Sequence, residues 1–128
     1  MSLIDANVVL RYLLDDHAEL SQRAADILEQ QRVTMPMEVA CEIVYVLQKV
    51  YMVSRNDIAD QLTRLVQAEL IYMDKSAVFL KALDCYRHSN FDFVDCLLWG
   101  YHHDEQQEIF TFDKKLHRLI YKSPQGQP

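Results

Sequence analysis

Short apolar runs alternate with longer amphipathic stretches along the chain. Residues 2–4 predict a short strand and residues 7–14 a helix. Residues 18–30 predict a second helix, with Leu20, Ala24, Ile27 and Leu28 at helical spacing. Residues 32–35 read as a strand, and Pro36 suits the first turn of a helix. In that helix, over 37–51, Val39, Ile43, Val46, Leu47 and Val50 share one face. Ser54 or Asn56 can cap the next helix, which carries Ile58, Leu62, Leu65 and Val66 in register. Strands are then predicted at 70–73 and 108–112, and helices at 77–86, 92–103 and 114–121.

Strands that alternate with helices imply parallel pairing, because a parallel connection needs a crossover that a helix supplies. The expected class is therefore α/β, with a short, mostly parallel sheet flanked by helices and right-handed connections. At 128 residues one domain is expected over 1–122. The stretch 123–128 is polar and turn-rich and is expected to be a frayed tail. Only two glycines occur, Gly100 and Gly126, so a Gly-rich phosphate loop or a dinucleotide fingerprint is excluded.

Composition narrows the picture little: half of the residues are hydrophobic and a quarter charged, as in ordinary globular domains. The net charge of −6 speaks against a protein that coats nucleic acid. It leaves room for a nuclease, whose metal site concentrates carboxylates whatever it cuts. Cys41, Cys85 and Cys96 form no C-x-x-C pair, which argues against a zinc site or a disulfide framework and for inert thiols in a reducing compartment. No targeting segment is apparent, and no apolar run approaches the roughly 20 residues of a membrane span. A cytoplasmic location is the expectation.

The candidate chemistry is acidic. Leu3-Ile4-Asp5-Ala6-Asn7-Val8 runs from an apolar strand through Asp into a helix, and Ile109-Phe110-Thr111-Phe112-Asp113-Lys114 repeats that order. In a parallel sheet both carboxylates then stand at the carboxyl edge, where open α/β sheets bind ligands. Each Asp also suits a plain helix cap. Glu38 and Glu42 lie four apart on one helix, with Glu42 expected at the border of the apolar stripe and Glu38 in solvent. Asp92 and Asp95 open another helix, as N-cap and third helical residue, and Asp95 is expected beside an apolar face of Val94, Leu97, Leu98 and Tyr101. Convergence of Asp5, Glu42, Asp95 and Asp113 would require a counter-charge, since carboxylates a few ångströms apart resist joint ionisation. Mg²⁺ or Mn²⁺, which take oxygen ligands, meets that need. An aspartyl-phosphate enzyme is the rival reading of Asp5, but Asn7 stands where a second Asp would be wanted.

These segments resemble the PIN-domain family. The resemblance is carried by the opening at Leu3-Ile4-Asp5-Ala6-Asn7-Val8, by Cys41-Glu42-Ile43-Val44, by Asp92-Phe93-Val94-Asp95-Cys96-Leu97 and by Thr111-Phe112-Asp113-Lys114. Within the family, the compact size is similar to that of the VapC-type toxins of bacterial type II toxin–antitoxin systems. The resemblance implies a PIN-like three-layer sandwich and a Mg²⁺- or Mn²⁺-dependent endoribonuclease. Asp5, Asp95 and Asp113 would be metal ligands, and Glu42 would position or activate water. Asn7 and Thr111 would support the site, and Asp92 would serve a second metal. It further implies an RNA substrate, a homodimer and a cognate antitoxin protein. A PIN nuclease outside toxin–antitoxin systems, or a non-catalytic RNA- or protein-binding module, remains the alternative. Arg11, Lys49, Lys114 and Lys115 are candidates for an RNA path.

Overall fold

The computed structural model of the chain describes residues 1–121; the expected tail at 123–128 lies outside them. The chain divides into two compact units, Met1–Ser76 and the remainder from Ala77 on. Helix dominates, with a short parallel sheet, as the α/β expectation requires.

The first unit begins with β1 (Ser2–Leu3), α1 (Ala6–Leu14), α2 (Ala18–Gln30) and β2 (Val33–Thr34). It continues with α3 (Met37–Lys49) and α4 (Arg55–Gln67). β1 and β2 pair in parallel, Ser2 opposite Val33 and Leu3 opposite Thr34. The ladder is completed by the Ser2 amide donating to the Arg32 carbonyl (3.2 Å) and the Ile4 amide to that of Thr34 (3.1 Å). α1 packs on both α2 and α3, and α3 on α4. Of the two residues suited to cap α4, Ser54 does so, its hydroxyl accepting from the Asp57 amide at 3.1 Å.

Residues 70–73 make a single parallel bridge, Thr34 with Tyr72, instead of a strand. The cause is local. Glu69 is left-handed (φ 60°), and the Leu70 and Ile71 amides bond back to the Leu65 carbonyl. Only Tyr72 is left to exchange bonds with the sheet. The buried stripe of α3 is also turned from its expected position, to Ala40, Ile43, Val44 and Leu47, while Val50 is exposed. Small Ala40 is the residue that size-weighted periodicity passes over.

The second unit holds α5 (Ser76–Arg87, which starts at the boundary), α6 (Phe93–Glu105) and α7 (Lys114–Tyr121). α6 buries Phe93, Cys96, Leu97 and Gly100, and Val94 is exposed, contrary to the expected face. Phe93 meets Phe79 and Tyr86 of α5 edge-on, each pair 5.8 Å between ring centres. Gly100 lets α6 approach α5 closely, since a Cβ there would lie 2.9 Å from the Val78 carbonyl oxygen. A methyl normally favours a helix over glycine by about 1 kcal/mol. Here it meets backbone, so Gly100→Val is expected to lower stability by about 1–3 kcal/mol in urea unfolding, as overpacking does. A Gly100→Val midpoint equal to that of the parent would show that α5 and α6 are not in close approach.

Residues 108–112 form no strand. Their backbone bonds go elsewhere. The Tyr121 hydroxyl accepts from the Ile109 amide (2.7 Å) and donates to the Ile109 carbonyl (2.9 Å). The Thr111 hydroxyl accepts from the Asp113 amide at 3.0 Å. Asp113 thus follows a tethered loop instead of a strand.

Candidate carboxylate site

In the first unit, Asp5 follows the buried Ile4 at the end of β1 and caps α1, its Oδ1 accepting from the Val8 amide at 3.2 Å. Its carboxylate has a second oxygen with acceptor capacity left over. Asn7 is exposed in the same helical turn. Glu42 and Glu38 are both exposed on α3, so Glu42 lacks the partial burial expected of it at the edge of an apolar stripe. The rotated stripe explains this, because the buried side of α3 is that of Ala40 and Val44. Arg11 leaves the set of candidate RNA contacts: its guanidinium is held by Asp16 at 2.7 Å and by the Tyr51 hydroxyl at 3.1 Å.

In the second unit, Asp113 caps α7, its Oδ1 accepting from the Leu116 amide at 3.0 Å. Asp92 occupies the N-cap position of α6 with extended backbone, yet among the described residues its side chain makes no cap bond. The capping explanation therefore holds for Asp5 and Asp113 and fails for Asp92. Asp95 is half-buried in the first turn of α6. Burial pushes its carboxyl above the usual carboxylate range, and the negative charges of Asp92 and then Asp113 push it further. Asp92, Asp95 and Asp113 thus share one electrostatic neighbourhood although seventeen residues lie between the last two in sequence.

That donor set is made of hard oxygens only, which suits Mg²⁺ or Mn²⁺. Among the described residues, no three His, Cys, Asp or Glu side chains are drawn together as a metal cage. Mg²⁺ commonly uses one or two carboxylates and fills its shell with water and substrate phosphate, so the carboxylates present fit it by chemistry. Histidine is occupied otherwise: His102 Nδ1 lies 2.7 Å from the Gln107 carbonyl, and the His103 ring stacks on Trp99 at 4.4 Å. Burial first, then the neighbouring His102, holds His103 below the usual imidazole range. None of the three cysteines is joined in a disulfide. No helix among the described residues is long and apolar enough to cross a membrane.

Each unit carries a cavity. One of about 660 Å³, lined in part by Arg32, Val33, Ile71 and Tyr72, includes no candidate acid. Another of about 410 Å³ is formed by Thr111, Phe112, Asp113, Lys114, His117 and Arg118. The tether from Tyr121 and the outward placement of Phe110 and Phe112 were not readable in the sequence. A Phe-rich run between helices signals a buried strand, and only the absence of a partner strand reverses that reading.

The family model for the PIN domain matches residues 2–120. No curated protein and no solved structure matches the chain.

Proposed function

Because the chain belongs to the PIN-domain family, whose members are generally nucleases, we propose that it is a Mg²⁺- or Mn²⁺-dependent endoribonuclease. The observation that carries this reading is Asp95, half-buried in the first turn of α6 with the negative charges of Asp92 and Asp113 acting on it, a cost that a bound cation would relieve. Asp95 and Asp113 would hold the metal in this reading, and the family resemblance implies Asp5 as a third ligand. When bound, the divalent ion supplies positive charge that stabilises an in-line displacement at phosphorus. Glu42 orients the attacking water and takes its proton. The water oxygen forms a bond to phosphorus, one ester P–O bond breaks, and the departing oxygen takes a proton from solvent. Thr111 orients Asp113 through its amide, the family resemblance implies a supporting role for Asn7, and Asp92 would be available to a second cation.

The toxin reading adds a homodimer and a cognate antitoxin protein. It predicts growth arrest on expression, relieved when the antitoxin is co-expressed. The direct test is cleavage of a mixed-sequence RNA by purified protein with and without Mn²⁺. Wild type should cut only with metal, and Asp5→Ala should cut on the order of 100-fold more slowly, the scale of one charge-stabilising group. Equal rates for Asp5→Ala and wild type would remove Asp5 from the site, and metal-independent cutting would remove the metal.

A further inference from the structure

Phe110 and Phe112 are 87% and 107% exposed, whereas Ile109 and Thr111 between and before them are half-buried. Burying one such ring would stabilise a fold by about 1.5–3 kcal/mol. Two rings left in water within three residues is an unusual use of phenylalanine. They are not on a slack segment, since the Tyr121 hydroxyl holds both backbone groups of Ile109 and His102 meets the Gln107 carbonyl. Phe112 also forms a wall of the groove of about 410 Å³, together with Lys114, His117 and Arg118. Those three stand at i, i+3 and i+4 of α7, hence on one helix face. Asp113, a candidate metal ligand, closes the same groove.

An aromatic face beside cations, here Lys114 and Arg118, is the combination by which proteins hold single-stranded nucleic acid: the ring stacks a base and the cations meet the backbone. The net charge of −6 sharpens the point, because attraction to a polyanion must then be local, as it is at this face of α7. We infer that the groove at the start of α7 binds an unpaired nucleotide of the RNA next to the bond to be cut. Phe112 stacks its base, Phe110 extends the platform, and Lys114 and Arg118 hold phosphate. Phenylalanine offers no hydrogen bond to a base edge, so this subsite selects for an unstacked base and not for its identity. The inference rests on the ribonuclease reading for its substrate.

The test uses Asp95→Asn protein, which binds without cutting, and a short fluorescein-labelled single-stranded RNA in metal-free buffer. Fluorescence anisotropy should show Phe112→Ala weakening binding about 5- to 100-fold, the range of one base stacked on an aromatic ring. Phe112→Trp should bind as well as the parent. Arg118→Gln should reduce the slope of log K against log salt by about 0.7, the value of one phosphate contact on a single strand. The same RNA annealed into a duplex should bind with no dependence on Phe112. Unchanged binding in Phe112→Ala would overturn the subsite, and so would an unchanged salt slope in Arg118→Gln. So would a Phe112→Ala protein that binds RNA normally but changes its sedimentation, which would make the face a contact between copies of this chain. Cleavage by the wild type, run in parallel with Mn²⁺, separates the two readings. If it fails, the ribonuclease reading falls; if it succeeds while Phe112→Ala binds normally, only the subsite falls.

Discussion

Asp95→Asn is expected to abolish RNA cleavage and, in metal-free buffer, to raise the melting temperature. Losing one preorganised charge at the reacting phosphate costs on the order of 10²–10³-fold in rate. The gain in stability follows from the same side chain. Burial, then Asp92, then Asp113 raise the Asp95 carboxyl above its ordinary value in the folded protein. A raised folded-state value means that the native state binds this proton more tightly than the unfolded chain does. The stabilisation is full at pH below the ordinary value of about 3.9. It is lost as pH rises through the higher folded value, and above that the ionised carboxylate strains the fold. Asparagine cannot ionise, so its stability curve should lack this fall. Its loss of a favourable charge in the first turn of α6 is worth about 0.3–1 kcal/mol and works the other way. Burial and the two neighbouring carboxylates all act against its charge and together outweigh the helix end, so the net change should be upward. Thermal melts of both proteins across the acid range, with metal chelated, measure it. Saturating Mn²⁺ should then stabilise wild type, by about 2.7 kcal/mol at one hundred times Kd, and leave Asp95→Asn nearly unmoved. A variant that cuts RNA at the wild-type rate, or melts lower at neutral pH, would refute the account.

Phe93→Ala should strongly destabilise the fold of the second unit. Phe93 is 6% exposed and wedges between Phe79 and Tyr86, both fully buried. Truncating a buried Phe costs about 3–5 kcal/mol, a large fraction of the 5–15 kcal/mol that typically separates native from unfolded chains. Phe93→Leu keeps most of the apolar volume and should lose chiefly the two edge-to-face pairs, about 0.5–1.5 kcal/mol each. The ring also sits between Asp92 and Asp95 in sequence, so it anchors the acidic turn as well as the core. Cleavage by folded Phe93→Leu should therefore fall, though by less than in Asp95→Asn. Urea unfolding by circular dichroism reads the first effect; a loss under about 1 kcal/mol for Phe93→Ala would show that the three rings are not packed as described.

Helices proved the most readable part of the chain. α2, α6 and α7 lie within two residues of their expected bounds, because amphipathic spacing sustained over two turns or more marks a helix. Strands were less so. Residues 70–73 and 108–112 carry the right residue types, but a strand exists only where a partner accepts its hydrogen bonds, and that is a property of the whole fold. For the acids, sequence offered the cap and the ligand as competing uses of each residue. The structure separates them: Asp5 and Asp113 cap, Asp92 does not, and Asp95 bears the strain of its neighbours. Glu42 shows the converse, since its exposure depends on which side of α3 is buried, and Ala40 decides that.

The double use of Asp5 and Asp113 has an evolutionary consequence. Each holds the first turn of a helix, and removing such a cap costs about 0.5–2 kcal/mol whether or not the protein still cuts anything. A descendant that abandoned catalysis would still be selected to keep both. Asp92 and Asp95 give the helix no such reason for their retention, and Asp95 is a burden without a cation. Drift after loss of activity should begin at these two positions, with neutral residues arriving there first and bringing a more stable protein with them.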